Sequence, residues 1–162
     1  MEEVLVRKGE RDGGKAVLLA GVLDALRLDL ESGYLKTVRE LIHGELFGDF
    51  IELAEHLLGE GYKDAAAVIA GSSLEAHLRR LCDKAGIDTQ VSTAKGTKPK
   101  KAEQMNTELA AADVYPKLDQ KSVTAWLDLR NSAAHGHYNE YIKDQVTIMS
   151  SGIRDFITRH PA

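Results

Sequence analysis

The sequence contains only one cysteine, Cys82, among its 162 residues. A single cysteine excludes an internal disulfide framework and argues against a zinc site built from thiolates. No apolar run approaches the roughly 20 residues that a membrane-spanning helix needs, and the charged start of the chain lacks the apolar core of a signal peptide. We therefore expect a soluble, cytoplasmic protein with no membrane partner.

Positive charge and aromatic side chains are also scarce. The 21 lysines and arginines are outnumbered by 25 aspartates and glutamates, which leaves a formal net charge of −4. A dedicated duplex-DNA binder usually carries an excess of positive charge, so we expect no duplex-DNA partner. Aromatic residues make up only 6% of the chain, and the sequence offers no evident platform on which bases would stack.

The residues that are present form a strong helical pattern. Apolar side chains recur at three- and four-residue intervals, as on one face of an α-helix. This pattern indicates helices over about 15–31, 34–58, 64–85, 102–112, 118–134 and 140–159. No strand-like alternation appears. The sequence therefore predicts an all-α fold, an up-and-down bundle of four main helices plus a short helix.

Composition divides the chain into an arm and one domain. Residues 1–14 are charged and end in two glycines, which predicts an N-terminal arm, and residues 15–162 have the length of a single domain. Within that domain, residues 87–100 lack apolar periodicity and predict a flexible loop. The dense basic cluster in and after this loop consists of Lys95, Lys98, Lys100 and Lys101. These lysines are either a solvated surface or an arm that contacts RNA.

One arginine stands where an apolar side chain is expected. On a helical wheel Arg130 falls in the middle of the apolar stripe formed by Val123 and Leu127. A buried guanidinium is costly without a partner, so it needs a carboxylate, a carbonyl, a partner subunit or an anionic ligand. Asn131 and His135 lie four residues apart along one edge of the same stripe. An arginine, an amide and an imidazole therefore converge at one helix end.

Structural and functional interpretations of this convergence both stay open. Arg130 could pair with a core acid such as Glu75, which could also form a helix ion pair with Arg79, and His135 could cap the helix end. Alternatively the three polar groups bind an anion, with Glu75 supporting Arg130. The two histidines His135 and His137 do not predict a metal site, because no third ligand has suitable spacing. We expect no metal and no other cofactor.

Two segments carry a resemblance to a known family. Residues 130–135, Arg-Asn-Ser-Ala-Ala-His, resemble the signature of the HEPN superfamily (higher eukaryotes and prokaryotes nucleotide-binding). That signature is an arginine, a polar residue, three or more further residues and a histidine, near the end of a late helix in an all-α bundle. Residues 70–81 resemble the central helix of such bundles. The resemblance covers roughly residues 34–160 in helix order.

The resemblance implies metal-independent cleavage of RNA by a homodimer in which two motifs meet. Carried over to this chain, the catalytic residues would be Arg130, Asn131 and His135. Histidine suits proton transfer near neutral pH, and the planar fork of arginine matches phosphate oxygens. The resemblance further implies a toxin or phage-defence ribonuclease with an antitoxin or other protein partner. The alternative is a non-catalytic HEPN bundle that binds RNA, a nucleotide or a protein.

The residues after the motif leave one assignment open. His137 satisfies a longer spacing of the same signature, but His135 is still helical and lies beside Asn131, so we prefer His135. Many antitoxin-controlled members place a modified tyrosine two residues after the histidine. In this chain that position is His137, and Tyr138 follows it.

Overall fold

The structure is a computed structural model that describes residues 23–24, 27–28, 31–32, 34–93 and 96–162, without the side chains of residues 34–45. The chain forms two compact units, residues 1–41 and 42–162. Before residue 34, the described residues of the predicted helix 15–31 are helical. The predicted arm, residues 1–14, lies outside the described residues, and a single domain over residues 15–162 stays a prediction.

The described part of the chain is mostly helical, which confirms the all-α class. In chain order its elements are α1 (Tyr34–Gly59), α2 (Lys63–Ala85), β1 (Gln90–Thr93), β2 (Gly96–Pro99), α3 (Ala102–Ala111), α4 (Lys117–Ala134) and α5 (Lys143–Arg159). Each helix predicted from residue 34 onward is present, with ends close to those expected. Gly86 ends α2 in a left-handed conformation with φ of 69°, as its position after the apolar stripe predicts.

The start of α5 differs most from the prediction, since it begins at Lys143 and not near residue 140. The backbone N–H of Ile142 donates to Oε1 of Gln145 at 2.9 Å, which satisfies a donor that the first helical turn leaves open. The Nζ of Lys63 donates to the backbone oxygens of Tyr138 at 2.5 Å and Tyr141 at 3.1 Å. These contacts from α2 hold the preceding residues in a turn.

The predicted loop over 87–100 contains a β-hairpin, although the sequence pattern indicates no strand. The antiparallel strands pair Gln90 with Pro99 and Thr93 with Gly96. Apart from the half-buried Val91, the strand residues are exposed. Alternation of apolar and polar residues arises when one face of a strand is buried. These strands bury no face, so the alternation that would predict them is missing from the sequence.

Helix α2 packs against α3, α4 and α5 and supplies much of the core of the second unit. Its buried face carries small residues, among them Ala66, Ala67, Ala70 and Gly71. At Gly71 a Cβ atom would overlap Cβ and Cγ of Arg130, because the aliphatic part of that side chain lies directly against the helix backbone. The small residues of α2 therefore let α4 approach it closely at Gly71. This contact positions the site described next.

Two further features are the environment of Cys82 and the length and apolarity of the helices. Cys82 is a free, fully buried thiol in the hydrophobic core, and burial raises its pKa to about 11. None of the helices in the described ranges is both long and apolar enough to cross a membrane.

Candidate functional site

Arg130 is held on the inner side of α4 by two polar partners. Its guanidinium forms an ion pair with Oε2 of Glu75 on α2, and its Nη1 donates to Oδ1 of Asn131 at 3.0 Å. Its side chain is only 20% exposed. The Nε atom is buried and has no hydrogen-bond partner among the described residues. The pairing with Glu75 that the sequence suggested is therefore present, and one buried donor of the guanidinium stays unused.

Glu75 binds two arginines at once. While Oε2 faces Arg130, Oε1 accepts from Nη2 of Arg79 at 3.0 Å. The same Nη2 donates to the backbone oxygen of Lys100 at 3.1 Å, just before α3. Both sequence interpretations of Glu75, as a helix ion-pair partner and as a support for Arg130, are thus combined in one network. This network links α2, α4 and the start of α3.

Asn131 is oriented by a residue that the sequence analysis did not identify. Its Nδ2 donates to Oε1 of Glu103, in the first turn of α3, at 3.0 Å. Burial raises the pKa of Glu103. However, hydrogen bonds from its own backbone and from Asn131, together with the positive charges of Arg130 and Lys101, lower the pKa more and bring it below its usual value. Glu103 is therefore an ionised carboxylate beside the motif. Nothing in local spacing relates it to Asn131, 28 residues later.

His135 completes the group at the end of α4. It is the C-terminal cap residue of that helix, and its backbone N–H donates to the oxygen of Asn131 at 3.0 Å. Its imidazole is exposed and makes no hydrogen bond or ion pair within the described ranges. An open cleft of about 480 Å³ is lined by Glu75, Lys101, Glu103, Arg130, Asn131 and His135. The predicted convergence of arginine, amide and imidazole is therefore present in this cleft.

His137 and Tyr138, which follow the motif, lie outside the cleft. Nδ1 of His137 is 3.3 Å from Oε1 of Glu140, and both side chains are more than half exposed. Tyr138 is half exposed, and its backbone oxygen accepts the hydrogen bond from Lys63. His135, and neither His137 nor Tyr138, thus lines the cleft together with Arg130.

The predicted basic cluster is divided by the fold. Lys95 lies outside the described residues, and Lys98 is exposed on β2. Lys100 is only 6% exposed, and its Nζ donates to Oε2 of Glu108 at 2.5 Å. Lys100 therefore does not belong to a solvated surface, and its ammonium group is already paired with a carboxylate on α3. Lys101 is exposed and lines the cleft.

Comparisons with family models, curated proteins and solved structures find no match to this chain. The resemblance to the HEPN superfamily therefore stays a prediction from the motif and the order of the helices. In the parts of the chain that the structure describes, no group of three or more His, Cys, Asp or Glu side chains could hold a metal ion.

Proposed function

We propose that this protein is a HEPN-like, metal-independent endoribonuclease, acting as a homodimer in a toxin or phage-defence role. The observation that carries the proposal is the cleft shared by Arg130, Asn131 and His135, the three motif residues. A phosphate group in this cleft meets cationic, amide and imidazole groups within one small volume. These are the groups that cleavage of RNA by its own 2′-hydroxyl requires.

The reaction needs a base, an acid and a cation. His135 removes the proton of the 2′-hydroxyl, whose oxygen attacks the adjacent phosphorus. The bond from phosphorus to the 5′-oxygen breaks, and an acid protonates that oxygen, leaving a 2′,3′-cyclic phosphate. In a homodimer the His135 side chains of the two protomers divide the two proton transfers. Arg130 stabilises the charge on the phosphate oxygens, and Asn131 orients the guanidinium.

The charges around the cleft support an anionic ligand. Glu75 pairs with Arg79 and Arg130 through separate oxygens, and Lys101 lines the same cleft as Glu103. Two cationic side chains, Lys101 and Arg130, thus line the cleft with two carboxylates, and Arg79 adds a third positive charge beside Glu75. A guanidinium has five N–H donors, and the pairs with Glu75 and Asn131 leave others for a phosphate.

RNA digestion in excess EDTA tests the proposal. We expect the wild-type protein to cleave RNA and leave 2′,3′-cyclic phosphate ends. We expect Arg130→Ala and His135→Ala to abolish this cleavage. His137→Ala is the matched control, because it removes the same side chain two residues away from the cleft and should keep full activity. Equal cleavage by all four proteins, or no cleavage of several RNAs by wild type, would contradict the proposal.

A non-catalytic HEPN-like bundle is the second candidate. It is favoured by a specific observation, namely that Arg130 and Asn131 already have internal carboxylate partners in Glu75 and Glu103. In that case the cleft, or the surface around it, binds RNA, a nucleotide or a protein partner such as an antitoxin. Gel shifts that persist without cleavage, and that survive His135→Ala, would favour this candidate.

A further inference from the structure

Glu103 is an anionic side chain in a cleft that is proposed to bind an anion. Glu75, the other carboxylate, uses both of its oxygens on arginines. Glu103 uses only Oε1, which accepts from Asn131, while Oε2 accepts no hydrogen bond from another residue in the described chain. A carboxylate repels phosphate, so the Glu103 oxygen that no other residue uses suits a hydrogen-bond donor elsewhere in the ligand.

The geometry points to Glu103 as a specificity-determining residue that recognises the Watson–Crick edge of a guanine beside the bound phosphate. This inference rests on the proposed RNA site. An ionised carboxylate only accepts hydrogen bonds, so its partner in RNA must be a donor. Guanine presents two adjacent donors, N1–H and N2–H, that match the two oxygens of one carboxylate. Adenine presents one donor and one acceptor, cytosine presents one donor and two acceptors, and uracil places its single donor between two acceptors.

The local structure holds Glu103 ready for such a contact. The hydrogen bond from Asn131 fixes the carboxylate within the cleft, and each carboxylate oxygen has two lone-pair directions, so Oε1 can accept a second bond. A group fixed in place before binding loses less conformational entropy when the ligand arrives. Asn131 thereby joins the base contact of Glu103 to the phosphate contact of Arg130.

A purely structural role is the competing explanation. Glu103 lies in the first turn of α3, where a negative charge stabilises the helix dipole. Loss of that effect would lower stability, but it would not change which nucleotide binds. Selectivity among bases is therefore the readout that separates the two roles.

The test is a titration of the full chain with each of the four 3′-mononucleotides. Binding is monitored through the NMR signal of the Asn131 side-chain amide. We expect 3′-GMP to bind about tenfold or more tightly than 3′-UMP, the discrimination usual for a bidentate base contact. Glu103→Gln should abolish this preference, because an amide offers one donor and one acceptor. Glu140→Gln is the matched control, since it removes an exposed carboxylate outside the cleft and should leave the preference intact.

Equal affinity for the four nucleotides, no binding in the cleft, or an unchanged guanine preference in Glu103→Gln would each overturn the inference. A melting curve for each variant shows whether it is folded. Binding is measured without cleavage, so guanine-selective binding by a protein that cuts no RNA would support Glu103 and count against the nuclease. Cleavage of RNA without any base preference would support the nuclease and count against the role of Glu103.

Discussion

Replacing His77 by glutamine is expected to remove a large part of the pH dependence of stability below neutral pH. His77 is 1% exposed and packs edge-on against the rings of Phe47 and Phe156, at centroid distances of 5.5 Å and 6.0 Å. Its Nε2 donates to the backbone oxygen of His160 at 2.8 Å, while Nδ1 is buried with no partner among the described residues. Protonation would place a positive charge and an unpaired N–H in the core.

The magnitude follows from the pKa of His77. Burial lowers this pKa from 6.5 to about 4, with the charges of His160 and Lys84 acting in the same direction and the hydrogen bond to the His160 oxygen opposing them. Since the folded pKa lies below the unfolded one, the stability is fully present above pH 6.5 and is lost as the pH falls toward 4. At about 1.36 kcal/mol per pKa unit, the difference between the unfolded and folded pKa values corresponds to about 3 kcal/mol in the free energy of unfolding.

Urea denaturation at several pH values between 4 and 6.5 measures the effect. Glutamine can donate to the same carbonyl but does not titrate in this range, so the free energy of unfolding of the variant should fall less steeply with acid. The depressed pKa values of Glu103, Glu108 and Asp119 also destabilise the fold in acid, but equally in both proteins. Parallel stability curves for wild type and His77→Gln would refute the reasoning.

Three further predictions concern the core and the cleft. Gly71→Ala should cost about 1–3 kcal/mol in urea denaturation, because the added Cβ meets the stem of Arg130; an unchanged midpoint would contradict the close packing. Lys100→Ala should lower the melting temperature, because it removes the paired ammonium group. Lys101→Ala should weaken RNA binding in gel shifts, and the loss should depend on salt. Cys82 should react with thiol reagents only after unfolding, since it is buried and its pKa is raised to about 11.

The sequence predicts the helices well because each apolar stripe is a local property of its segment. The same rule misses the hairpin at Gln90–Pro99, whose strands bury no apolar face. The helical pattern also predicts that Arg130 needs a partner, because an unpaired guanidinium in an apolar stripe is energetically unfavourable. Glu103 could not be found in this way, since its contact with Asn131 depends on how α3 packs against α4.

The internal pairing of Arg130 does not decide between the two candidate functions. Arg130 and Asn131 link α4 to Glu75 and Glu103 on neighbouring helices, so replacing either residue removes a contact between helices as well as a polar group of the cleft. Lost cleavage in those variants therefore has two explanations. His135 is exposed and makes no side-chain hydrogen bond in the described ranges, so His135→Ala alters the cleft with little cost in stability. Lost cleavage at unchanged stability would assign proton transfer to His135, whereas retained cleavage would leave the motif with a structural role.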